Sequence, residues 1–131
     1  FRTELEILVG RISSRATFPA RVTLKSENII RYRPPPNAFD MIICEIRARS
    51  SELLPGEPAE LQGLGVVDWL TERIDPMLEK ISATATTGAH IIFLTVSSNP
   101  DMPQLWKHIG QKYTAGSPIV ANNYSILTVS K

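Results

Sequence analysis

Three patterns in this sequence predict an α/β fold: a three-layer sandwich with a mainly parallel central sheet between helices. The first is a pair of apolar runs. Met41-Ile42-Ile43-Cys44 lies inside residues 39–49 (FDMIICEIRAR), and a second run fills residues 90–96 (HIIFLTV). A strand apolar at both parities suits the middle of a parallel sheet covered on both faces. The second pattern lies between those runs, where Val66, Val67, Leu70, Ile74, Met77, Leu78 and Ile81 recur at helical spacing. The third is the order of elements (strand, strand, strand, helix, strand, helix, strand), which is that of a layered α/β domain.

Each element has its own local reason. Residues 4–9 (ELEILV) predict a strand ended by Gly10, and residues 21–25 (RVTLK) alternate and carry β-branched side chains, as a strand does. Residues 11–20 read as a loop or a short helix, and residues 29–32 extend the second strand or form another. Pro34-Pro35-Pro36-Asn37 is an extended connector, because proline fixes φ and has no N–H to donate. Residues 50–64 carry Pro55, Gly56 and Pro58 and form a loop leaving the carboxyl end of the central strand. The helix over residues 65–81 is interrupted at Asp75-Pro76, either by a kink or by a second start with Asp75 as N-cap. A turn at residues 97–101 follows the second apolar strand. Residues 102–113 predict a helix with Leu105, Trp106 and Ile109 facing the core. Gly116-Ser117-Pro118 is a turn, residues 119–121 a short strand, and residues 124–129 (YSILTV) the last strand.

With 131 residues, 43% hydrophobic and 21% charged, the chain is long and apolar enough for one globular domain over residues 1–131. It does not begin with Met, which is consistent with a domain cut from a longer protein. The formal net charge of +1 argues against a dedicated nucleic-acid surface. Basic residues gather before residue 39 and acidic ones between residues 51 and 79, giving two oppositely charged faces. The lone Cys44 cannot form an internal disulfide, which fits a reducing, cytoplasmic compartment. One Cys and two His leave no Cys/His zinc site to build, and no apolar run reaches the ~20 residues that span a bilayer. His90 and His108 show no partner in the sequence.

In open α/β sheets, ligands sit just past the carboxyl ends of the strands. Glu45 and Thr95 stand there, with Asp40 at the other end of the first apolar run. The plainer reading is that Asp40 and Glu45 cap strand ends or pair with Arg47 or Arg49, and that Thr95 is an ordinary strand residue.

Phe39-Asp40-Met41-Ile42-Ile43-Cys44-Glu45 resembles the acceptor strand of response-regulator receiver domains, with Glu45 at the phosphoacceptor position. Gly63 to Leu70 is similar to the start of that family's next helix. Thr95 ends the following strand, where the family binds the phosphoryl group, and Lys131 is placed like its last-strand lysine. Gly10 and Arg11 stand where active receivers carry metal-holding acids, and Glu places its carboxylate one methylene too far for the acceptor role. The resemblance, over residues 39–131, therefore implies an atypical, non-phosphorylated receiver-like module that needs no cofactor. It would act in signalling by binding another protein or another domain of its own. Asp40, Glu45, Thr95 and Lys131 are its candidate binding residues.

A second resemblance is to Rossmann-type methyltransferases dependent on S-adenosylmethionine. FDMIICE looks like that family's fourth strand, and YSILTV suits its antiparallel edge. Gly10 stands without the glycine-rich turn that cradles the cofactor, so this resemblance implies a relative that has lost cofactor binding or lacks that half. Glu45-Ile46-Arg47 also resembles a nuclease E-x-K pair, but a guanidinium stays protonated and cannot serve as the base.

Overall fold

The computed structural model describes residues 33–49 and 63–131. The strands expected at residues 4–9 and 21–25, Gly10, Arg11 and most of the loop over residues 50–64 lie outside them. The described residues belong to one compact unit, Arg33–Lys131.

The chain enters through the proline connector, and Asn37, at φ 50°, turns it into strand β1, Phe39–Glu45. Helix α1, Val66–Trp69, a π-helical turn, Leu70–Ile74, and helix α2, Asp75–Thr84, follow as one continuous rod. Strand β2, Ala85–Val96, helix α3, Met102–Gly110, and strands β3, Thr114–Ala115, β4, Ile119–Ala121, and β5, Tyr124–Ser130, complete the unit.

The α/β class holds, but the sheet is mixed rather than mainly parallel. β1 pairs parallel to β2, whereas β5 runs antiparallel to β2, β3 and β4. The order is β1-β2-β5-β3, with β4 also on β5. The reversal of β5 against β4 has a local cause. β4 and β5 are joined by Asn122 and Asn123 alone, both in the left-handed region at φ 48° and 67°. Two such residues make the tight hairpin turn whose twist matches its strands.

The described helices lie on one face of the sheet. Cys44, Phe93 and Leu127 share that face by register, as do Thr95 and Ser125. Cys44 Sγ lies 3.8 Å from Met77 Sδ on α2, and Trp106 on α3 donates its indole N–H to Ser125 Oγ at 2.9 Å. Ile91, Phe93, Leu127 and Val129 are buried under Ile74, Leu78, Ile81, Leu105 and Ile109.

The opposite face carries Met41, Ile43 and Glu45 on β1, His90, Ile92, Leu94 and Val96 on β2, and Tyr124, Ile126 and Thr128 on β5. Here the expectation of a strand buried on both sides is corrected. Met41 is 58% and Ile43 64% exposed, while Ile42 and Cys44, turned toward the helices, are half-buried. The apolar run contains the inward residues and an equally apolar outward set, and no described helix covers the second set.

The rod between β1 and β2 also differs from its periodicity. Trp69 and Ile74 are both buried, five residues apart, while Val67 is exposed. Proline at position 76 cannot donate to the carbonyl four residues back, and its ring clashes with that carbonyl in a regular α-helix. The wider π turn just before it relieves the clash and adds a residue to the turn. The apolar face upstream is thereby rotated away from the phase a single 3.6-residue period assigns, bringing Trp69 inward. Asp75 does not act as an N-cap; its carboxylate is used elsewhere.

Candidate functional site

The carboxyl ends of β1 and β2 form the corner where an α/β sheet places its chemistry. The register puts Glu45 beside Leu94, and the chain continues in line, with the Ile46 N–H donating to Leu94 O at 2.7 Å. Glu45 is exposed on the open face. Thr95, one residue on from its neighbour, points to the helix side and is fully buried. The sheet itself therefore separates the Glu45 and Thr95 side chains.

Thr95 belongs to a hydrogen-bonded chain. Its hydroxyl accepts from Asn99 Nδ2 at 3.0 Å, and Asn99 Oδ1 accepts from the Asp101 N–H at 3.0 Å. The Asp101 carboxylate accepts from Arg49 Nε at 2.9 Å, and Arg49 Nη1 donates to Leu64 O. Thr95, Asn99 and Asp101 are buried at 0%, 3% and 8% exposure. Buried polar groups need such partners, and no buried side-chain polar atom among the described residues lacks one. The network ties the end of β2 and the start of α3 to the segment after β1 and to the residue before the helical rod.

Lys131 lies at the far end of the sheet. Because β5 is antiparallel, its last residues run beside the middle of β2: Ser130 pairs with His90, and the Lys131 N–H donates to Ala89 O at 3.1 Å. The Lys131 ammonium donates to Ser82 O at 2.5 Å and to Ala85 O at 2.8 Å. It thus caps carbonyls at the carboxyl end of α2, where a cation meets the negative end of the helix dipole. Asp40 is exposed on β1, beside the register shift between Phe39 and Met41. The four candidates therefore do not form one site. Glu45 and Thr95 are on opposite faces, Lys131 is at the other end of β2, and Asp40 is at the opposite end of β1 from Glu45.

One feature was missed by sequence reasoning. His108 does have a partner: its Nε2 lies 2.6 Å from Asp75 Oδ1, which also takes a 2.8 Å contact from Lys112 Nζ. Partial burial works to raise the Asp75 carboxyl, but hydrogen bonds from Lys112 and His108 outweigh it and hold it below its ordinary value. The signal available was the cationic end of α3, which needs an acid opposite it, although spacing alone does not name Asp75. Cys44, inside the apolar run, behaves as a small hydrophobe: burial, with the Glu45 charge adding, pushes its thiol up to about 11. It is a packing group against Met77, far from the reactive range.

The polar side chains described at this corner are bonded to one another, leaving Glu45 and Arg47 exposed beside a packed network. Among the described residues no group of three or more His, Cys, Asp or Glu could hold a metal ion, and no helix is long and apolar enough to cross a membrane. Comparison with protein-family models, curated proteins and solved structures finds no match.

Proposed function

We propose that this chain is a non-catalytic protein-interaction module built on a Rossmann-methyltransferase-like plan, with the open face of its sheet as the contact surface. The observation that carries the interaction reading is that face: Met41 and Ile43 stand out from β1 beside Ile92, Leu94 and Ile126. Exposed apolar surface of this kind, contiguous and on a rigid sheet, marks interaction sites. The plan is supported by the final strand, which runs antiparallel to β2 and lies between it and β3. Its antiparallel direction is what the methyltransferase resemblance implies, although it lies inside the sheet and not at the edge. The receiver resemblance needs Glu45, Thr95 and Lys131 to converge, so it is the weaker guide to the plan. Its functional implication, a signalling module that works by binding another protein or domain in a reducing compartment, is retained in this proposal.

Titration calorimetry with S-adenosylmethionine at millimolar concentration tests the non-catalytic part; no heat is expected. Saturable binding lost on Glu45→Ala would replace this reading with that of an active methyltransferase relative.

A further inference from the structure

The open face has a pattern that matches itself. Its rows, read across the strands, are Met41 and His90; Ile43 and Ile92 with Thr128; Glu45, Leu94, Ile126 and Ile119; and Val96, Tyr124 and Ala121. The centre is uncharged, so a second copy brings no like charges together there. The acidic Glu45 and the imidazole of His90 lie on adjacent strands, four register positions apart. A two-fold axis lying between two such faces, across the strands, reverses the row order. It sets Ile43 over Ile43 and brings Glu45 of one copy to the His90 end of the other. A carboxylate accepts there from a ring N–H that either tautomer supplies.

The area is sufficient. Met41, Ile43 and Ile119 are 58–64% exposed. With the half-buried Ile92, Leu94, Ile126 and Tyr124 they amount to roughly 500 Å² per copy, or about 1,000 Å² for a pair, the lower bound for a specific interface. Two sheets packed in this way lie ~10 Å apart with their strands near-aligned, the ordinary geometry of face-to-face sheets.

Resting on the proposed interaction role of this face, we propose that its partner is a second copy of this chain, giving a symmetric dimer with helices outside and two sheets inside. Sedimentation equilibrium of the full chain, from micromolar to hundreds of micromolar, tests it alongside Ile43→Asp and Met41→Lys. Both sites are exposed, so the variants are expected to keep the wild-type circular dichroism. The expected result is a reversible dimer whose dissociation constant rises at least 10-fold in either variant and several-fold in Glu45→Gln. Dye binding by an apolar fluorophore separates the ways it can fail. A monomer that binds the dye, with the signal lost in Ile43→Asp, overturns the second-copy partner and leaves the interaction reading standing. A monomer that binds no dye overturns both. A dimer indifferent to Ile43→Asp and Met41→Lys places the contact elsewhere and overturns the inference.

Discussion

Replacing Thr95 with valine separates a structural role from a ligand-binding one. The side chain is fully buried, and its hydroxyl accepts from Asn99 Nδ2 at 3.0 Å, with Asn99 only 3% exposed. Valine keeps the shape and removes the acceptor. The amide N–H is then buried without a partner, a loss of roughly 1–3 kcal/mol. Burying a methyl in place of a hydroxyl returns about 0.8 kcal/mol at most. The balance is a destabilisation centred on about 1 kcal/mol. With a urea slope of ~1–3 kcal/mol/M, the unfolding midpoint should fall by roughly 0.3–1 M at unchanged slope. The effect should be present in plain buffer, with no phosphate or metal added. A double-mutant cycle gives the sharper check: in an Asn99→Ala background Thr95→Val should lose most of its effect. An unchanged midpoint for Thr95→Val, or the same loss in both backgrounds, would refute the role assigned to this hydroxyl.

Three further outcomes follow from the same contacts. Cys44, with its thiol raised to about 11, should react with a disulfide reagent at pH 8 about 100-fold more slowly in the folded protein than in urea, because only the thiolate attacks. Asp75 has a folded pKa below its ordinary 3.8, so its contribution to stability is present above about pH 4 and lost as pH falls through the lowered value. Asp75→Asn should therefore flatten the acid limb of a stability–pH curve, at under ~1 kcal/mol near neutral pH, since the pair is partly solvated. Lys131→Met should cost about 0.5–1 kcal/mol in urea unfolding by uncapping α2, and Lys131→Arg should recover part of it.

The legible parts of the fold were those set by local pattern. The apolar runs placed β1 and β2, the spacing of Leu105, Trp106 and Ile109 placed α3, and the proline cluster placed the connector. The sequence did not reveal which way β5 runs beside β2, because YSILTV is equally apolar in either direction and the Asn122-Asn123 turn sets its direction against β4 alone. Apolar alternation in β1 likewise reads as burial on both faces, although burial of the second face depends on what is packed there. The phase of the helical rod was missed for one residue's sake: Pro76 forces a wider turn that a fixed period cannot represent. At the corner, Glu45 and Thr95 were correctly placed at strand ends. A one-residue offset between paired strands nevertheless puts them on opposite sides of the sheet, and only the register fixes that offset.

The position of β5 also dictates when the sheet can form. Among the described strands, β3 and β4 hydrogen-bond to β5 alone, and β5 joins them to β2. Half the width of the described sheet therefore depends on the seven residues of β5. On a ribosome, β1, the helical rod and β2 can assemble early, while β3 and β4 emerge and wait without a ladder. Closing the sheet is a late, long-range event, whose loop entropy is lost before its contacts are gained. A nascent chain stopped just after Asn123 should hold a two-stranded core that binds its helices, with everything beyond α3 still unpaired.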